Sequence, residues 1–93
     1  MKDESLEKSV EALRGGDTRA FDRIYERTNR AAYFTILYIV HDKMHAEDVL
    51  QETYLRAMRS LAQYRAGSNF TAWLCTIARS LALNHLKKNK REV

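Results

Sequence analysis

Apolar residues along the chain recur at three- and four-residue intervals, and the stripes they draw predict four helices. Leu6, Val10 and Leu13 mark a first helix over 5–14, stopped by the pair Gly15 and Gly16, after which Asp17 offers an N-cap. From 17 to 40, Ala20, Phe21, Ile24, Tyr25, Thr28, Ala31 and Ala32 keep one face apolar. Beyond them, 33–40 is apolar nearly all round, which predicts that this half of the helix lies in the core. His41, Asp42, Lys43 and Met44 interrupt the pattern, and a third helix is expected from 45 or 46 to between 61 and 64. The polar loop 65–69 follows, with Ser68 and Asn69 as candidate caps for a fourth helix. Phe70, Trp73, Leu74, Ile77 and Leu81 form the buried stripe of that helix. Its other side reads Thr76, Arg79, Ser80, Leu83, Asn84, Lys87 and Lys88, and grows more basic toward Lys90 and Arg91.

The third helix carries two contrasting faces. Val49, Leu50, Thr53, Tyr54, Ala57 and Leu61 form a core stripe, while Asp48, Gln51, Glu52 and Leu55 share the other side. A leucine framed by two carboxylates and a carboxamide points to a docking strip for another protein; the plainer reading is a solvated face with one stray leucine.

Composition narrows the fold class. Proline is absent and only three glycines occur in a chain of 93 residues rich in Ala, Leu, Glu, Lys and Arg, so an all-α, compact bundle of about four helices is expected. The length suits one domain over 1–93, with its core at about 17–89. With 45% hydrophobic residues it should fold without a metal, cofactor or disulfide. Cys75 is the single cysteine and fits a reducing compartment. The start Met1, Lys2, Asp3, Glu4 does not read as a signal peptide, and no run approaches a membrane span, so the cytoplasm is the expected location and no membrane partner is implied.

The charge is unevenly spread. Of the net +4, residues 1–40 contribute zero (seven basic, seven acidic), 41–64 contribute −1 (three, four) and 65–93 contribute +5 (six, one). A basic end on a neutral body points to a polyanion, nucleic acid before an acidic lipid surface, with a solubilising tail as the plainer alternative.

The chain from Tyr64 to Arg91 combines Gly67, Ser68 and Asn69 with the rings of Tyr64, Phe70 and Trp73. Small hydrogen-bonding groups beside aromatic faces are what an unstacked nucleobase needs. Phe70 and Trp73, three apart, also read as core anchors, which leaves Tyr64 and the polar loop as the better candidates for base contact. Ser80 and Asn84 lie one turn apart and can address the same bases, while Lys87, Lys88, Lys90 and Arg91 supply phosphate contacts. Chemistry of other kinds finds little support. His41 and His45 straddle a helix boundary with no companion metal ligand, and Cys75 sits among apolar neighbours as a small hydrophobe. Glu47 and Asp48 stand on an exposed face, and no Gly-rich phosphate loop is present. The chain does not read as an enzyme.

The run Ala46, Glu47, Asp48, Val49, Leu50, Gln51, Glu52, Thr53, Tyr54, Leu55, Arg56, Ala57, followed by Tyr64, Arg65, Phe70, Trp73, Leu74, Ile77, Ala78, Arg79, Asn84, His85 and Leu86, resembles conserved region 2 of bacterial extracytoplasmic-function (ECF) sigma factors. The likeness runs from about Asp17 to Asn89, and it rests on an A-E-D-x-x-Q-E helix followed about 20 residues later by W-L-x-x-I-A. It implies a helical domain that binds the β′ clamp helices of core RNA polymerase and opens the promoter minus-10 element. It assigns Asp48, Gln51, Glu52 and Leu55, with Arg56 and Arg59 at the margin, to the polymerase surface. By the same resemblance, Tyr64 and the loop of Arg65, Gly67, Ser68, Asn69 and Phe70 would hold a flipped base of the non-template strand. Ser80, Asn84 and Lys87 would contact neighbouring minus-10 bases and phosphates, and an anti-sigma factor would cover the same surfaces.

Departures from the family pattern limit the carry-over. Thr76 stands where the family commonly has a basic residue, and Ser80 and Asn84 fall at variable positions that discriminate promoters, so the bases read stay open. The sequence stops where a linker would lead to the region that reads the minus-35 element, so an excised domain is expected. The competing reading is a small helical interaction regulator with a solubilising basic tail. A membrane-surface helix over 73–91 is disfavoured because its apolar stripe is needed for the core.

Overall fold

The computed structural model describes residues 4–92, with side chains as far as Asn89. Four helices follow in order: α1 (Glu4–Arg14), α2 (Ala20–Val40), α3 (Lys43–Arg59) and α4 (Phe70–Glu92), with a 3-10 turn at Leu61–Gln63. The expected all-α bundle of four helices is borne out.

Local chemistry sets the helix ends. At the end of α1 the Gly16 N–H donates to Leu13 O and the Asp17 N–H to Ala12 O, the paired bonds of a Schellman stop. Gly16 has φ of 102°, a region closed to most side chains. Asp17 caps a preceding turn instead of α2 itself, its Oδ1 accepting from the Arg19 N–H and its carbonyl from the Ala20 N–H, so α2 starts three residues later than the pattern predicts. His41 ends α2 in the left-handed region, at φ 57°. Asp42 then opens α3 at once, its Oδ1 accepting from the N–H groups of Met44 and His45, so the helix starts at Lys43 and not at 45 or 46. Asn69 does the same for α4, accepting from the Ala72 N–H at 3.0 Å.

The core is one continuous cluster fed by every helix: Leu6 and Val10 from α1, Ile24 and Ile36 from α2, Val49, Leu50 and Tyr54 from α3, and Phe70, Leu74 and Leu81 from α4. Ala32, Ala46, Ala57, Ala78 and Ala82 are fully buried, and their small side chains let the backbones approach closely. Buried polar groups are matched within the core. Thr28 Oγ1 donates to Ile24 O and meets the Tyr54 hydroxyl, and Thr53 Oγ1 donates to Val49 O.

Two expectations about burial need correction. Within 33–40, Ile36 is buried, but Phe34 is 57% and Tyr38 81% exposed. α2 packs on α1, α3 and α4, and three neighbours cannot enclose a whole helix, so its outer stripe faces water whatever its sequence. Cys75 is half-buried, at the margin of the core and not inside it. Among the described residues, no helix is long and apolar enough to cross a membrane.

Candidate polymerase and nucleic-acid interfaces

The outer face of α3 presents Asp48, Gln51, Glu52, Leu55, Arg56 and Arg59 to solvent, as the sequence predicts. Leu55 is 57% exposed, yet it is not solitary. It borders a groove of about 320 Å³ between α2 and α3, lined also by Phe21, Tyr25, Leu50, Gln51, Tyr54 and Met58. The groove wall is an aromatic cluster, with the Tyr25 and Tyr54 ring centroids 4.9 Å apart and those of Phe21 and Tyr54 5.9 Å apart. Sequence reasoning assigns Phe21 and Tyr25 to the core stripe of α2 and misses their share in this surface. Their i, i+4 spacing signals a shared face but not which side of that face stays open.

The loop between the 3-10 turn and α4 exposes Arg65, Ala66, Gly67, Ser68 and Asn69. Gly67 turns the chain at φ 86°, and Ser68 closes the turn by donating from both its N–H and its Oγ to Arg65 O. Tyr64, read from the sequence as a ring to hold a base, is corrected here, as is the base-holding role that the resemblance implies for Phe70, which instead takes the core position its apolar stripe predicts. The two rings are only 2% and 1% exposed, and they pack edge-to-face on each other and tilted against half-buried Trp73, with centroids 5.2 to 5.5 Å apart. Neither ring offers a face to a ligand. The hydrophobic content of two rings at a loop base is worth more inside the core than as a platform outside it.

Tyr64 instead holds the loop in place. Its hydroxyl proton is shared between the Glu7 carboxylate on α1 and Ser68 O, the latter at 2.8 Å. Burial, and then the neighbouring Glu7 carboxylate, push its pKa up to about 12. Glu7 is not singled out by the sequence, and nothing at its position marks it; only the fold brings it to a residue 57 positions away.

The exposed row of α4 is as predicted: Thr76, Arg79, Ser80, Leu83, Asn84, Lys87 and Lys88 all face solvent. Ser80 and Asn84 are one turn apart on it. The side chains of Lys90 and Arg91 lie outside the described residues. His45 and His85 bring α3 and α4 together with ring centroids 4.7 Å apart, and His45 Nδ1 lies 3.6 Å from Asp42 Oδ2. Among the described residues no group of three or more His, Cys, Asp or Glu is arranged to hold a metal ion.

One surface is therefore acidic and apolar, the other polar and basic, and a loop pinned from α1 joins the second. Comparison with known proteins gives this arrangement a lineage. The sigma-70 region 2 family model matches residues 24–92. The ECF RNA polymerase sigma factor BldN of Streptomyces coelicolor is 40% identical over 82 residues, 87% of this chain and 31% of that protein. RNA polymerase sigma-H factor of Pseudomonas aeruginosa is 39% identical over 83 residues, 89% of this chain and 43% of that protein. The chain thus spans less than half the length of these relatives. The NMR structure of the complex formed by an engineered region 2 of sigmaE with GTAAAA superposes with a TM-score of 0.87 at 27% identity, covering 95% of this chain and 92% of that one. The chain belongs to the sigma-70 region 2 family, in the form found in ECF sigma factors.

Proposed function

We propose that this region 2 docks on the β′ clamp helices of core RNA polymerase through α3 and, in that assembly, captures unpaired minus-10 bases of the promoter non-template strand. The observation that carries this reading is the pairing, on one small body, of an exposed acidic and apolar strip with a separate polar, basic row beside a pinned loop. Asp48, Gln51 and Glu52 supply the charge and hydrogen bonds of the docking face. Leu55 with Phe21, Tyr25 and Met58 supplies its desolvated centre. Arg56 and Arg59 stand at its edge.

Opening a duplex in this way requires no hydrolysis. Binding energy is directed at the open form, where holding an extruded base returns roughly 1–3 kcal/mol, comparable with the cost of unstacking it. With Tyr64 and Phe70 inside, the contacts come from Arg65, the backbone and polar groups at 67–69, and Ser80 and Asn84. Lys87 and Lys88, with Arg91, add sequence-independent attraction to phosphates. An anti-sigma factor that covers both surfaces would silence the protein, and the site of action is the cytoplasm, where the polymerase is.

The docking assignment is tested by charge reversal. Asp48→Lys with Glu52→Lys should abolish co-purification with core polymerase while circular dichroism and the thermal midpoint stay near those of the parent, because both side chains are exposed. Undiminished association of a folded variant refutes the assignment.

A further inference from the structure

The rings expected to stack bases are buried, yet the exposed row of α4 does have open aromatic faces beside it, on a different helix. Phe34 and Tyr38 are four apart on α2, one turn of a shared stripe, and are 57% and 81% exposed. With Ala31, Thr35 and Ile39 they line a groove of about 410 Å³ whose far wall is Arg79 of α4. Arg79 belongs to the same outward row as Thr76, Ser80 and Leu83, so the groove continues the proposed DNA-facing surface sideways onto α2. His41, one turn beyond Tyr38 with ring centroids 6.4 Å apart, extends the aromatic line.

Charge separates this groove from its neighbour. The one on the α3 side of Phe34 contains Arg30 but also Glu47, whereas the groove at Tyr38 holds a cation and no carboxylate. Aromatic faces open to water, bordered by a guanidinium and clear of negative charge, are the chemistry that receives nucleobases linked by phosphates. A protein partner for an apolar patch needs no such cation, and the acid-free wall favours a polyanion.

The geometry points to Phe34, Tyr38 and Arg79 as a second single-stranded DNA subsite, in which the rings stack bases flanking the minus-10 element and Arg79 holds the phosphate between the two helices. This rests on the reading of α4 as the DNA-facing helix. It places on α2 a function that neither its apolar pattern nor the family motifs assign to it.

Fluorescence anisotropy of the full chain with two single strands tests it. One strand contains only the minus-10 bases; the other is extended with thymidines at both ends. The parent should bind the longer strand more tightly. Phe34→Ala with Tyr38→Ala should weaken the longer strand about tenfold and leave the shorter one unchanged. Tyr38→Phe keeps the ring and should match the parent. Both side chains are exposed, and an unchanged circular dichroism spectrum confirms folding. Equal affinity of the double variant and the parent for the longer strand overturns the subsite, as does a loss in Tyr38→Phe equal to that in the double alanine variant. A double variant altered only in self-association by sedimentation assigns the patch to a second copy and likewise overturns it. Loss of both strands in Asn84→Ala with Lys87→Ala, and none in the Phe34 and Tyr38 variant, leaves the α4 reading standing and removes the subsite. Failure of the parent to bind either strand removes both.

Discussion

At Tyr64 a single hydroxyl ties together α1, through Glu7, and the loop, through Ser68 O, while the ring packs on Phe70 and Trp73. Tyr64→Phe keeps the packing and removes the proton donor. It should cost about 1–2 kcal/mol of stability and speed amide exchange in the loop, because a partly buried carboxylate and a carbonyl are each left without a partner. Thermal unfolding and hydrogen exchange read the two effects separately; loop exchange equal to that of the parent would mean that Gly67 and Ser68 hold the turn unaided. Tyr54 shares the chemistry. Burial pushes its hydroxyl up to about 12, as it does that of Tyr64. Both tyrosines bind their protons more tightly when folded than in the unfolded chain, where the pKa is near 10. Their contribution is therefore complete below pH 10 and is lost as pH rises toward 12. Tyrosinate absorbance and helical circular dichroism should change together across that window, and Tyr54→Phe should make the alkaline loss of helix shallower.

Asp42 decides where α3 begins, and it does so with one carboxylate oxygen bonded to the N–H groups of Met44 and His45. The His45 N–H is the chief reason its carboxyl titrates below the usual carboxylate range. A depressed folded pKa means that the cap contributes above the ordinary carboxylate pKa and fails as pH falls through the lowered value. Asp42→Ala should lower the thermal midpoint at neutral pH, Asp42→Asn should retain most of it, and the gap between parent and Asp42→Ala should close under acid; a gap that persists there assigns the effect to packing. This residue also shows what was legible in the sequence. The four helices, the two faces of α3 and the outward row of α4 followed from spacing alone, since amphipathic period reports which positions share a side. The start of α3 did not, because Asp42 looks like loop until its backbone adopts φ −143° and its side chain turns back on the helix. Tyr64, Phe34 and Tyr38 were all misplaced for one reason. An aromatic ring at a boundary is stable inside or outside depending on how many neighbours the fold supplies, and that number is a tertiary fact. The 33–40 segment is apolar enough for a core, but α2 has too few partners to bury its outer side.

Across the whole molecule the +4 charge is concentrated in the last third, on the helix proposed to meet DNA, while the α3 face carries Glu47, Asp48 and Glu52. Segregation of this kind lets one body approach a polyanion and a protein surface without either interaction opposing the other. It also separates two contributions to the proposed DNA affinity that experiment can resolve. Phosphate contacts release counterions, so for a single strand log K falls with log salt by about 0.7 per neutralised phosphate, whatever the bases. Base contacts change discrimination and leave that slope alone. Lys87→Gln with Lys88→Gln, both exposed on α4, should flatten the slope by about 1.4 while the preference between matched and mismatched minus-10 strands is preserved. Ser80→Ala with Asn84→Ala should do the reverse, reducing the preference by about 1–3 kcal/mol for each bidentate hydrogen-bonded pair to a base that is removed, and keeping the slope. Anisotropy titrations at several salt concentrations measure both quantities on the same samples. If the lysine variant loses preference and slope together, the bases and the phosphates are held by one shared set of groups, and α4 cannot be divided into a reading edge and a charged edge.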